Sequence, residues 1–210
     1  MNFLLPINKS GGIEMSEEKQ AKATKVKETG LTYDDYAAID DGNRYELVGG
    51  QLELMSPAPL VSHQMISIEL VKNIAQSCEA EYIILPAPVD VILSPYEVRQ
   101  PDLLLINRKR MEIISKHGII GPPDLVIEIL SPSSLKRDKI DKTKSYARFG
   151  IPEFWIIEPD LGILEQHTLI EGRYDLTDIF QNNETITSPT IPCVSFTMAE
   201  IMDKIPELQD

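Results

Sequence analysis

The sequence predicts an α/β domain, a mixed sheet with a helix on each face. Three observations carry that prediction. Asp102-Leu-Leu-Leu-Ile106 and Leu125-Val-Ile-Glu-Ile-Leu130 are nearly continuous in branched aliphatics, which suits central strands covered on both faces. Two longer segments, 62–77 and 135–149, repeat apolar residues at helical spacing. Alternating segments flank Gly49-Gly50 near one end and Glu171-Gly172 near the other, the pattern of β-hairpins.

Residues 1–30 read as a flexible tail, because 15–27 offers almost nothing to bury. Met15 is an alternative start. Thr32 can cap a short helix, with Asp34 and Asp35 in its first turn. Segments 44–48 and 51–55 form the first hairpin. Ser62 can cap a helix to about Ser77, with Ile66, Leu70 and Ile74 as its buried stripe. Three strand-like runs follow: 82–85 continuing through 89–93, then 102–106, then 125–130. Ser133 or Ser134 can cap a second helix from about Leu135 to Phe149, which Gly150 and Pro152 stop. Residues 153–157 read as a buried strand, 163–169 and 173–177 as a hairpin. A last strand is expected near 194–196 and a short helix near Ala199. A chain of 210 residues accommodates one sizeable domain, here 31–210.

Acidic residues outnumber basic ones, 33 to 20, for a formal net charge of −13. That argues against a protein that coats nucleic acid through bulk charge, though not against a local basic surface. Cys78 and Cys193 form no CxxC pair, and reduced, buried thiols in a cytoplasm are expected. No apolar run approaches a membrane span, and the first residues lack a basic region ahead of a secretion signal. A cytoplasmic location is therefore expected. Phosphate-binding GxxxxGK[ST], HExxH, GxSxG and Cys/His zinc patterns are all absent.

Each of the two apolar strands carries a carboxylate foreign to a core. Asp102 opens one and Glu128 sits inside the other. A buried carboxylate must be protonated, paired or metal-bound. Glu128 reads either as half of a structural ion pair or as a metal ligand, and Asp102 either as a turn residue or as a ligand. Adjacent strands can bring two carboxylates to one magnesium, so the pair is more telling than either residue. On the helix 135–149, Leu135, Tyr146 and Phe149 share one stripe, and Asp138 and Lys142 lie within it. Lys142 could pair with Asp138 four residues earlier, or reach the strand carboxylates and stabilise a phosphate. Glu46, by default an exposed strand glutamate, and His63, at a helix start, say little alone. Asp90 is a further acid among apolar residues. Lys136, Arg137, Lys139, Lys142, Lys144 and Arg148 make this helix the best candidate surface for a phosphate backbone, although on charge alone a solvated face is the better account.

Taken together, the residues show a resemblance. The set runs through Arg44-Tyr-Glu-Leu-Val-Gly-Gly-Gln-Leu52, Met55-Ser-Pro-Ala-Pro59 with His63-Gln64, Pro88-Val-Asp-Val91, Gln100-Pro-Asp102 and Gly121-Pro-Pro-Asp-Leu-Val-Ile-Glu-Ile-Leu-Ser-Pro-Ser133. It closes with Asp138, Lys142, Tyr146 and Gly150-Ile-Pro-Glu-Phe-Trp155. From about residue 31 onward the chain resembles the Uma-two family, restriction-endonuclease-like proteins of the PD-(D/E)XK nuclease superfamily. The resemblance implies a restriction-endonuclease-like mixed sheet flanked by helices, with an N-terminal hairpin extension. It implies a magnesium- or manganese-dependent endonuclease acting on nucleic acid, DNA foremost, and a homodimer. Asp102 matches the PD aspartate and Glu128 the second acid. Leu130 stands where the superfamily has its lysine, and Lys142 on the helix takes that part. Glu46 matches a hairpin glutamate that would complete the metal shell. His63, Asp138 and Tyr146 match recurring positions around the site. Gly49-Gly50 replaces the usual Asp-Gly turn, and Gln51 stands where Glu is common. The alternative is a nuclease fold without catalysis, serving nucleic-acid or protein binding.

Overall fold

The computed structural model describes residues 30–55, 58–131 and 137–208, with the side chains of Arg137 and Asp138 outside that description. The expected tail up to residue 29, the start at Met15, the caps at Ser133 or Ser134 and the stripe residue Leu135 lie outside the described residues.

Thr32 caps helix α1 (Tyr33–Ala37). Its hydroxyl accepts from the Asp35 N–H, and the Asp35 carboxylate accepts from the Thr32 N–H. Strands β1 (Tyr45–Val48) and β2 (Gln51–Leu54) form the expected hairpin. Gly49 and Gly50 have φ of 56° and 80°. Two left-handed residues in succession match the turn to the strand twist, which only glycine does without strain. Helix α2 (Val61–Cys78) starts one residue earlier than Ser62 and has no side-chain cap. Its stripe of Ile66, Leu70 and Ile74 is buried as the spacing predicts.

The single run expected over 82–93 is instead two strands in different sheets, β3 (Tyr82–Pro86) and β4 (Val91–Ser94). Pro86 and Pro88 explain the break, since neither can donate to a continuing ladder. Next comes β5 (Glu97–Arg99), absent from the sequence reading because two of its three residues are charged, yet wholly buried. Strand β6 (Leu103–Asn107) leads to a 3-10 turn (Arg108–Ile113), β7 (Ile119–Ile120) and β8 (Leu125–Ile129). The second helix is not one regular α-helix. A π-helical turn (Arg137–Lys142) precedes α3 (Thr143–Arg148). Lys142 faces inward and Ile140 outward, as the stripe of 135–149 has them, and π turns are short insertions common at functional sites. Strands β9 (Glu153–Glu158), β10 (Ile163–Ile170) and β11 (Arg173–Gln181) form a meander. The chain closes with β12 (Thr185–Ile186), β13 (Phe196–Thr197) and α4 (Met198–Met202).

The strands make a six-stranded sheet in the order β11-β10-β9-β8-β6-β3 and a five-stranded one in the order β2-β1-β5-β4-β7, with β12 and β13 paired apart. In the larger sheet β8 and β9 run parallel and the other pairs antiparallel. Side-chain alternation sorts its residues by face. Leu103, Leu105, Leu125, Ile127, Ile129, Trp155 and Ile157 pack with α2 and the C-terminal arm. Leu104, Ile106, Val126, Leu130, Phe154 and Ile156 pack with Tyr146 of α3 and with Val91 and Ile119 of the smaller sheet. Glu128 belongs by parity to this second face. Each fully buried aliphatic side chain contributes about 1.5–3 kcal/mol.

One expectation is overturned. Cys78 and Cys193 are not free thiols but a disulfide, with Cα atoms 5.3 Å apart at a sequence separation of 115. Tertiary topology brings the end of α2 against the C-terminal arm, a proximity no local spacing encodes.

Candidate active site

The site forms where the two sheets and α3 meet. Parallel pairing with β9 on one side and antiparallel pairing with β6 on the other bury β8 completely, so Glu128 is only 1% exposed. Its Oε1 accepts from the Lys142 ammonium at 2.8 Å and from the Tyr146 hydroxyl at 2.6 Å. Both donors come from the helical segment, four residues apart and therefore on one face. Lys142 thus pairs with the strand carboxylate, and it also lies 3.6 Å from Glu46 Oε1. Burial and the negative charges of Glu128 and Glu46 push the Tyr146 hydroxyl far above its ordinary pKa, with Arg99 opposing, so it stays a proton donor.

Glu46 is not the exposed strand glutamate its hairpin position suggests. It is fully buried, because β1 pairs with β5 and turns this side chain inward. Its Oε1 accepts from the Gln100 N–H at 2.9 Å and its Oε2 from Arg99 at 3.3 Å. Arg99 also donates to Glu97 at 2.9 Å, and Ser145 Oγ donates to Glu97 at 2.5 Å. Burial works against the Arg99 charge, but Glu46 and Glu97 outweigh it and hold the guanidinium protonated. Arg99, Glu97 and Ser145 escaped the sequence reading. The available signal was an alternation of charges, Glu97 and Arg99 about Val98, directly ahead of Gln100-Pro101-Asp102.

Asp102 precedes β6 and reaches across to β8. Its Oδ2 accepts from the Ile129 N–H at 2.8 Å, beside Glu128, and from His63 Nε2 at 3.1 Å. The first turn of α2 supplies this histidine. Burial disfavours the Asp102 carboxylate, yet the His63 hydrogen bond, the His63 and Lys142 charges and the Ile129 N–H prevail, and its pKa falls below the ordinary value. The Asp102 side chain is 22% exposed, against 2% for those of Glu128 and Lys142. Asp102 is therefore the mouth of the site and the ion pair its floor. Asp138 lies outside the described side chains. Asp90 stands apart as a structural acceptor for Tyr36 and Gln100.

The described side chains place four carboxylates, Glu46, Glu97, Glu128 and Asp102, around Arg99, Lys142 and His63. The surplus is negative and opens to solvent at Asp102. Hard oxygen donors of this kind suit magnesium or manganese. Among the described residues no three His, Cys, Asp or Glu side chains are grouped so that together they could hold a metal ion. Magnesium needs no such group, since one or two carboxylates with water and substrate phosphate suffice. The donor chemistry of Asp102 and Glu128 therefore fits such an ion.

Comparison with protein families matches residues 32–199 to the Uma2 model, described as "Putative restriction endonuclease". The chain belongs to the Uma2 family. A similar solved structure is that of "a putative nuclease belonging to DUF820" from Anabaena variabilis ATCC 29413. It superposes with a TM-score of 0.67 at 16% identity, over 82% of this chain and 98% of that one. No curated protein matches the sequence. The Uma2 chain thus has the restriction-endonuclease-like fold its sequence implied, a mixed α/β core with a helix on each face and an N-terminal hairpin. Among the described residues no helix is long and apolar enough to cross a membrane.

The Uma2 helix corrects one expectation about charge. Lys139 is taken up by Glu158 and Glu165, and Lys142 by Glu128. Lys144 and Arg148 remain exposed.

Proposed function

We propose that this Uma2 protein is a metal-dependent endonuclease that hydrolyses nucleic-acid phosphodiester bonds, with DNA as the first substrate to test. One observation carries the reading. A part-exposed aspartate and a buried glutamate are held side by side on adjacent strands, with a lysine fixed on the glutamate. Asp102 and Glu128 would hold magnesium or manganese. Such an ion supplies Lewis-acid polarisation of the phosphodiester and eases ionisation of the attacking water.

The chain's own residues do the rest. His63 and the Ile129 N–H fix the Asp102 carboxylate, while Tyr146 and Lys142 fix that of Glu128. A carboxylate so restrained loses little freedom on taking up a ligand. Lys142 brings its ammonium to the place where the phosphate gains negative charge in the transition state. The buried aliphatics of β6 and β8 lower the local dielectric, which strengthens that interaction. Exposed Lys144 and Arg148 supply phosphate-backbone contacts. A homodimer, as the nuclease superfamily leads one to expect, belongs to the same reading and is checked by light scattering.

The test is cleavage of duplex DNA, single-stranded DNA and RNA in magnesium and in manganese. Wild type is expected to cut at least one of them, and Glu128→Ala and Lys142→Met to lose at least about 100-fold. Absence of cleavage of every form, with Glu128→Ala binding manganese as well as wild type, sinks the reading. The near-sealed Lys142–Glu128 pair favours the second reading, a binding module without cleavage. That reading predicts nucleic-acid retention in a filter assay with no metal-dependent product.

A further inference from the structure

We propose that Arg44 is a phosphate contact on the rim of the active site, gripping the nucleic-acid backbone one or two nucleotides from the bond to be cut. The inference rests on the nuclease reading above and names how that site holds its substrate.

Placement comes first. Arg44 extends the β1–β2 ladder by one residue, since its carbonyl accepts from the Met55 N–H at 2.9 Å. Arg44 and Glu46, two residues apart, therefore fall on one side of the strand. Glu46 is the inner of the two: its Oε1 accepts from the Gln100 N–H at 2.9 Å and lies 3.6 Å from Lys142 Nζ. Arg44 is the outer one. It is exposed, and it donates to Oε1 of the same Gln100 at 2.5 Å. Gln100 thus joins them, its backbone on Glu46 and its side chain on Arg44. Gln100 and Asp102 both reach solvent, on either side of buried Pro101. Two residues of chain span at most about 7 Å, so the residue that holds Arg44 is a close neighbour of the aspartate at the mouth.

The guanidinium also keeps its charge for an anion from outside. Lys72, Arg99, Arg110, Lys139, Lys142 and Arg173 each lie within ion-pair distance of a carboxylate. Arg44 is held instead by a neutral amide, which positions the side chain without cancelling its charge. The amide is fixed from its other end. Gln100 Nε2 donates to Asp90 Oδ1 at 2.8 Å and to the Tyr36 hydroxyl at 3.2 Å, which leaves its oxygen for Arg44. An arginine carries five N–H donors in a planar fork that matches two phosphate oxygens, and the bond to Gln100 uses one. In a chain of net charge −13, a local cation of this kind is what draws a polyanion in. The spacing suits a nucleic acid: two strand residues cover about 7 Å, and each DNA strand advances about 3.4 Å along the axis per phosphate.

The experiment reads duplex DNA binding by fluorescence anisotropy over a salt series in calcium, whose loose coordination favours binding over cleavage. Arg44→Met is expected to bind about tenfold more weakly and to lower the slope of log affinity against log salt by about 1. Arg44→Lys is expected to keep the slope and recover part of the affinity, since lysine brings the charge without the fork. A second measurement replaces single phosphates of the DNA with uncharged methylphosphonates. Wild type is expected to lose affinity at one or two positions to which Arg44→Met is indifferent. Calorimetric manganese binding is expected to be the same in Arg44→Met as in wild type, because Arg44 is exposed and its hydrogen bond goes to Gln100. An unchanged salt slope, or one methylphosphonate profile shared by variant and wild type, overturns the inference and leaves the metal site standing. Manganese binding lost in the variant alone would make Arg44 a structural residue and overturns it too. If wild type binds no duplex DNA, the inference falls, while cleavage of single strands or RNA keeps the nuclease reading. No manganese binding by wild type removes both.

Discussion

At the scale of single residues, this protein buries charge and then compensates it locally. Glu128 has Lys142 and Tyr146, Glu46 has Arg99 and a backbone N–H, and Asp102 has His63 and another backbone N–H. Removing one partner of a buried pair costs about 3–5 kcal/mol, far more than the pair contributes relative to an apolar replacement. Asp90 is the exception, an acid whose hydrogen-bond donors, Tyr36 and Gln100, are both neutral, with the Arg44 charge a weaker help. Burial raises its pKa, and the Tyr36 and Gln100 hydrogen bonds oppose that shift only in part. The folded state therefore binds the Asp90 proton more tightly than the unfolded chain. Its contribution to stability is greatest in acid and declines as pH rises from the ordinary carboxyl range through the raised folded value. Asp90→Asn keeps an acceptor for both donors and removes that slope. Urea midpoints at acid and neutral pH are expected to show the variant gaining on wild type as pH rises. A variant that loses stability equally at both pH values would show that the charge itself is needed.

At the scale of elements, the C-terminal arm shows how a segment with little regular structure is held. The Cys78–Cys193 disulfide fastens it to α2. Glu153, fully buried at the start of β9, fastens it to the sheet: Ser188 Oγ at 2.6 Å, Thr190 Oγ1 and the Thr190 N–H all donate to it. Trp155 and Gln166 donate to its other oxygen. The sequence showed this glutamate only as part of a motif, because its partners lie 35 and 37 residues downstream. Glu153→Ala orphans the buried Trp155 N–H, at about 1–3 kcal/mol, and releases Ser188 and Thr190 from the sheet. Hydrogen exchange is expected to rise first over residues 187–191, with α2 unaffected. Uniform deprotection across β9 would instead mean the glutamate holds the whole sheet. The site's own elements were legible in part. Apolar runs and helical spacing revealed β6, β8 and α2, since each is periodic over its own length. Strand β5 was not legible, because its charges are buried only by a sheet formed from remote segments.

At the scale of the molecule, a net charge of −13 opposes any polyanion at a distance, and binding rests on local cations. With Lys139 and Lys142 held in ion pairs, Lys144 and Arg148 are the basic residues of α3 left exposed. Lys144→Ala with Arg148→Ala is expected to weaken DNA binding and to reduce the slope of log affinity against log salt by about 2. An unchanged slope would move the nucleic-acid surface elsewhere.

The sequence by itself determined the fold class and the family, and it singled out Asp102, Glu128, Lys142, Tyr146, His63 and Glu46 as candidate site residues. Asp102, Glu128 and Lys142 are legible because an acid in an aliphatic strand and a lysine on an apolar stripe violate local rules, and a violation can be read without knowing what it touches, whereas Glu46, His63 and Tyr146 entered only through the family resemblance. Only the tertiary structure decided the pairings: Lys142 with Glu128, Glu46 with Arg99, Asp102 with His63, and Cys78 with Cys193. Periodicity fixes which way a side chain points along its own element. What it meets depends on two sheets and a helix that come together from across the whole chain.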